Sequence, residues 1–202
     1  MQMDVLIENA LYLLALLNPV SKVMFLATYE PSLNRKQIFE LSWKSSVAAL
    51  IILTVLAAAG QMILTDIFRI ELYSLRITGG LILFFIGWHA VREGRFMNRR
   101  HQSIKQDFTE LSLVPLAAPL IAGPGTIAAA ISSTAEFGLG LTALALLLAV
   151  AINFVFMLFS LTINHVFERT HLLGPLIRLT GLIIASVAVQ MVITGLRDSN
   201  LW

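Results

Sequence analysis

The sequence predicts an all-α fold: a polytopic membrane protein of six transmembrane helices, arranged as two inverted three-helix repeats, with spans one and four interrupted near the midplane. Three observations lead there. The 202 residues are 57% hydrophobic and only 13% charged, about half the charged share of a soluble domain. Residues 45–65, 111–135, 137–164 and 179–196 hold no Asp, Glu, Lys or Arg at all. Two local features also recur, in the same order, at offsets of 102 and 105 residues. Uncharged apolar runs of about 18 residues or more have the length of a bilayer-crossing helix. One such run fits a buried helix of a soluble core. Four in a chain this short exclude that reading.

The predicted spans are 5–29, 37–65, 72–94, 111–133, 138–165 and 173–197, within a single transmembrane domain covering 1–202. Repeat one covers about 1–94, a basic loop about 95–110, and repeat two about 111–202. Strands are not expected, because a transmembrane barrel would show short alternating segments. Span three has a charge-free stretch, 77–91, of only 15 residues between Arg76 and Arg92, whose stems can snorkel to the interfaces. Arg178 begins span six in the same way, and headgroup anchoring is the expectation for both Arg76 and Arg178. Glu40 and Lys44, four residues apart, are expected to pair at an interface.

Basic residues gather in segments 30–44, 92–110 and 166–172. All three lie on one side of the membrane, which the positive-inside rule makes cytoplasmic. Both termini are therefore expected outside, in a protein of the cytoplasmic membrane. The net charge of +2 reflects this bias and not nucleic-acid binding. The chain has no cysteine, hence no disulfide and no thiolate metal site. The N-terminus lacks a basic region, so no removable signal peptide is expected.

Internal repetition fixes the architecture. Leu75-Arg76-Ile77-Thr78-Gly79 in span three matches Ile177-Arg178-Leu179-Thr180-Gly181 in span six. Asn18-Pro19 interrupts span one as Gly123-Pro124-Gly125 interrupts span four. A unit of three spans is odd, so its second copy enters the membrane from the opposite side. Inverted repeats of this kind are widespread among secondary transporters, with the substrate near the midplane at discontinuous helices.

The two breaks are the candidate binding site. Proline removes a helix hydrogen bond and glycine loosens the backbone, and the freed groups cannot face lipid. Each break exposes a half-helix N-terminus suited to a carboxylate. These donors belong to Val20 and Ser21 beside Asn18-Pro19, and to Gly125 and Thr126 beside Gly123-Pro124. Carbonyls near Leu16, Leu17, Ile121 and Ala122 suit an ammonium group. A zwitterion fits both, and the small lining fits a small, neutral amino acid. Asn18 can cap the following half-helix and Thr126 can offer its hydroxyl. Lys22 reads either as a gate or coupling residue or, more simply, as a lysine snorkelling to the cytoplasmic interface. Asn153 has the same two readings, a gate or coupling residue or an ordinary interhelical bond. Thr78-Gly79 and Thr180-Gly181 read as close-packing surfaces.

The run Leu16-Leu17-Asn18-Pro19-Val20, the run Pro115-Leu116-Ala117-Ala118-Pro119-Leu120-Ile121-Ala122-Gly123-Pro124-Gly125-Thr126-Ile127 and the Thr78-Gly79-Gly80 segment resemble the MarC family. That family includes the SnatA-type neutral amino-acid transporters. The resemblance spans nearly the whole chain and implies transport of small neutral amino acids such as glycine and alanine. One departure stands out. Many members continue Asn-Pro with glycine and then a second proline, where this chain has Ser21 and Met24 with Lys22 between.

An intramembrane enzyme is not expected. The chain has no His-Glu-x-x-His motif, no pair of mid-membrane aspartates and no nucleophile serine in a Gly-x-Ser-x-Gly context. No catalytic residue, metal site or cofactor is expected. The competing classes are a structural or assembly membrane protein and an exporter of other small solutes. The expected partners are a small neutral amino acid, membrane lipid, and a coupling ion, either a proton or sodium. No partner is expected among nucleic acids, and an oligomer is compatible with the sequence. The loop bias makes a topology prediction. In this cysteine-free chain, Gln102→Cys will resist a membrane-impermeant thiol reagent in intact cells and Ser199→Cys will react; the reverse pattern overturns the orientation.

Overall fold

Hydrocarbon offers no hydrogen-bond partners, so a chain crossing it must satisfy its own backbone, and a helix does this within one segment. The computed structural model describes residues 2–27, 33–94, 121–163, 165 and 173–199. Among them are seven α-helices and no strand: α1 (Gln2–Leu17), α2 (Pro19–Ala27), α3 (Arg35–Met62), α4 (Leu72–Glu93), α5 (Pro124–Phe137), α6 (Leu139–Leu158) and α7 (Leu173–Asp198). The basic loop 95–110, the stretch 111–120 with the motif from Pro115 to Leu120, and the loop 166–172 lie outside the described residues.

Five stretches are long and apolar enough to cross a membrane: Met3–Leu26, Arg35–Ile67, Leu72–Glu93, Leu139–Leu158 and Leu173–Asp198. They coincide with expected spans one, two, three, five and six. The break in span one is real, since α1 and α2 meet at Asn18. For span four the structure describes the second half, α5, which is 14 residues long.

Local chemistry sets the ends. Asn34 and Gln37 form a capping box ahead of α3: Asn34 Oδ1 accepts from the Gln37 N–H and Gln37 Oε1 from the Asn34 N–H, both at 2.9 Å. A π-helical turn over Ile63–Ile67 and a left-handed Arg69 (φ +55°) lead into α4. Pro124 occupies the first turn of α5, where its missing N–H costs nothing. Glu40 and Lys44 form the expected pair, with Nζ 2.5 Å from Oε1.

The burial pattern is inverted relative to a water-soluble protein. Ile51 and Val55 of α3, Phe85 and Trp88 of α4, Leu144 of α6, and Leu179 and Leu182 of α7 are all more than half exposed. Ser42, Ser45, Ser46, Thr142 and Asn153 are buried. Large apolar side chains outside and hydroxyls inside suit an outer solvent of lipid tails.

Packing follows from residue size. α3 packs against α5 and α6, and α1 against α6. The rings of Phe39 and Trp43 each meet Phe154 edge-on at 6.1 Å. The most extensive contact joins α4 and α7, which run antiparallel. Gly80 and Gly87 face Ala188 and Gly181, and Gly195 faces Tyr73. Small residues seven apart stay on one face of each helix, and they bring the two backbones together as in other membrane helix pairs. A Cβ on Gly87 would stand 2.7 Å from both the Ala185 nitrogen and the Gly181 oxygen. Backbone cannot give way there, so Gly87→Ala will lower stability by about 1–3 kcal/mol. Gly140→Ala, whose Cβ meets nothing within 4 Å, will not. Thermal unfolding in detergent reads both, and equal midpoints would refute the tight crossing.

Candidate functional site

At the first break the chain closes the gap with its own side chains. Asn18 adopts a left-handed conformation, φ +50°, which asparagine tolerates better than other residues with a Cβ. Its N–H completes α1 by donating to the Leu14 carbonyl at 3.0 Å. Its Oδ1 accepts from the Ser21 N–H at 3.4 Å, a loose form of the expected cap, and its carbonyl accepts the Ser21 hydroxyl at 2.9 Å. Pro19 then opens α2. Asn18 and Ser21 are buried, and Pro19 and Val20 half-buried.

Lys22 corrects an expectation. It does not snorkel to the interface: it is 2% exposed, and its ammonium donates back to the Leu17 carbonyl released by the break. Helical side chains lean toward the N-terminus of their helix, so from α2 this one reaches back to the break. The lysine therefore occupies the carbonyl pole that the sequence suggests for a ligand's ammonium.

At the second break Gly125 is packed against span three. A Cβ there would fall 2.1 Å from Leu83 Cγ, and Gly79 stands against Ala128 and Gly125. Gly125 and Thr126 are buried, Gly123 is half-buried and Pro124 exposed. Asn153 is fully buried; its Nδ2 donates to Met157 Sδ at 3.3 Å, while its Oδ1 has no partner among the described residues.

A cavity lies along α1 and α5, a turn or more from the breaks. Its volume is about 330 Å³, and it is lined by Glu8, Asn9 and Tyr12 of α1, Arg76 of α4, Ser132, Ser133 and Glu136 of α5, and Gln190 and Thr194 of α7, with apolar residues including Ala129 and Met191. Its size suits a small ligand. None of Asn18, Pro19, Val20, Ser21, Gly123, Pro124, Gly125 and Thr126 lines it. Its wall mixes both polarities. Ser133 Oγ donates to Asn9 Oδ1 at 3.0 Å and ties α1 to α5. The buried Asn9 Nδ2 and Ser132 Oγ have no partner among the described residues. Arg76 stands on the same wall. Its side chain is 14% exposed and bonds Asp198 Oδ2 at 2.6 Å and Glu136 Oε2 at 3.2 Å. Among the described residues, no three His, Cys, Asp or Glu side chains gather to hold a metal ion.

Residues 3–199 match the MarC family of integral membrane proteins. This chain belongs to the MarC family. It is thus an integral, multi-pass membrane protein. A UPF0056 membrane protein of Pyrococcus horikoshii is 34% identical over 94% of this chain and 92% of its own length. A UPF0056 membrane protein of Bacillus subtilis is 28% identical, covering 98% of this chain and 96% of that relative. The Escherichia coli inner membrane protein MarC is 29% identical over 92% of this chain and 91% of its own. No solved structure is significantly similar. Within this MarC-family chain the left-handed Asn18 makes a local prediction. Asn18→Gly will be tolerated, while Asn18→Val will lower the unfolding midpoint through about 1–2 kcal/mol of backbone strain. Equal midpoints would show that the break does not need that conformation.

Proposed function

We propose that this chain is a secondary transporter of small neutral amino acids, working by alternating access on six spans built as two inverted three-helix repeats. The observation that carries the reading is the polar cavity of about 330 Å³ beside the two interrupted helices. A structural or assembly protein has no need of a cavity with a guanidinium, two carboxylates, two amides and several hydroxyls on its wall. Unpaired buried donors are costly, and a ligand or water in the cavity would satisfy them.

The packing pattern supports the repeat. Span one packs on span five as span four packs on span two, and spans three and six cross antiparallel at their small residues. A two-fold axis in the membrane plane relates both sets. Arg76 and Arg178 stand toward opposite ends of that crossing pair, Arg178 beside Gly94. With both termini outside, the cavity faces the non-cytoplasmic side, the outward-facing member of an alternating pair. The acidic groups on its wall, Glu8 and Glu136, lie at its exposed rim. A proton relay through deeply buried acids therefore finds no support, and sodium-coupled or uncoupled movement remains the working alternative.

Purified protein in liposomes will take up glycine or alanine under an imposed sodium or pH gradient, and either ligand will raise its unfolding midpoint. Ser132→Leu, which fills the cavity, will abolish both effects while the variant stays monodisperse. If no small neutral amino acid binds or moves under any gradient, the transporter reading gives way to the structural one.

A further inference from the structure

We infer that Arg76 recognises the substrate's carboxylate, and that the ligand takes Arg76 from Glu136, so that binding opens the ion-pair node joining α4, α5 and α7. This rests on the transport reading and assigns the role within it.

Arg76 stands on the cavity wall, with its side chain 14% exposed. Its two ion pairs run to α5 and α7, through residues 60 and 122 positions away in the chain. A guanidinium carries five N–H groups in a planar fork that matches a carboxylate. The bonds to Asp198 and Glu136 leave three of them without a partner among the described residues. A ligand carboxylate can thus approach before either protein carboxylate leaves.

The exchange has a preferred direction. The Glu136 bond is the longer, 3.2 Å against 2.6 Å, and its side chain is the more exposed, 55% against 44% for Asp198. An exposed carboxylate rehydrates cheaply when released, so Glu136 yields first. The swap of one carboxylate for another leaves the charge around Arg76 unchanged. Asn9 Nδ2 and Ser132 Oγ, buried and unpartnered on the same wall, add neutral donors for the incoming oxygens. The freed Glu136, together with Glu8, then faces the ligand's ammonium across the rim. The ligand class that satisfies all of these groups is a small α-amino acid in its zwitterionic form.

Calorimetry on purified, detergent-solubilised protein tests this with three probes: glycine, glycinamide and acetate. Arg76→Gln will weaken glycine by about tenfold or more and leave glycinamide unchanged. Arg76→Lys keeps the charge but loses the fork; it will retain the unfolding midpoint and still weaken glycine. Glu136→Gln removes the competitor and will strengthen acetate by about two- to fivefold, the worth of a part-exposed ion pair. The opposite signs of the Arg76 and Glu136 variants separate recognition from mere structure. If Arg76→Gln and Glu136→Gln weaken every probe alike and lower the midpoint together, the node only holds helices and the inference is overturned. If the unaltered protein binds glycine and Arg76→Lys binds it equally well, the inference fails while the transport reading stands. If the unaltered protein binds none of the probes, both fall.

Discussion

Everything in this protein depends on one constraint: no backbone N–H or C=O can be left open to hydrocarbon. An unbroken helix meets it alone, and α3, α6 and α7 do so with large apolar side chains turned outward. A broken helix meets it only with help. At Asn18 the help is local: the chain turns left-handed, Ser21 bonds the Asn18 carbonyl and Lys22 bonds the Leu17 carbonyl. The broken helix must then be kept from lipid, and its buried neighbours in α5 and α6 serve that end.

The tight crossing of α4 and α7 is the complementary element. Glycine and alanine at seven-residue intervals bring the two backbones into contact over most of their length. Repulsion at such short range is steep, so this pair behaves as one stiff body. The cavity lies where that body meets the helices α1 and α5. Arg76 projects from the stiff pair and holds Glu136 on α5. This polar node therefore links the tightly crossed pair to α5.

Much of this was legible in the sequence, and the reasons for the exceptions are physical. Bilayer thickness imposes length on apolar runs, so five spans emerge at their observed places, with the expected span five running seven residues past Leu158. Pro19 and the glycines of 123–125 mark the breaks because no other residue types serve there as well. Lys22 misleads because sequence spacing alone does not say which way a side chain leans. The lean toward the helix N-terminus carries it back to Leu17 and the break. The ion pairs of Arg76 were not legible because its partners are remote in sequence. The cavity left one signal that periodicity could find. Val5, Glu8, Asn9 and Tyr12 in α1, and Ala129, Ser132, Ser133 and Glu136 in α5, share one spacing, which lines up a single face of each helix.

The buried lysine also bears on how the chain enters the membrane. A segment handed to the bilayer during synthesis is judged first on its own apolarity, and a lysine near its centre costs about 2.5–3.5 kcal/mol on the insertion scale. Span one carries its lysine four residues from its C-terminal end, where the cost is smaller but still adverse, and a helix break one turn before it. Its ammonium finds a partner only when the chain has already bent at Asn18, and shelter only when later helices have closed around it. The first span is thus the least self-sufficient part of the chain at the moment it emerges, and its commitment to the membrane is bound to the arrival of the helices that follow.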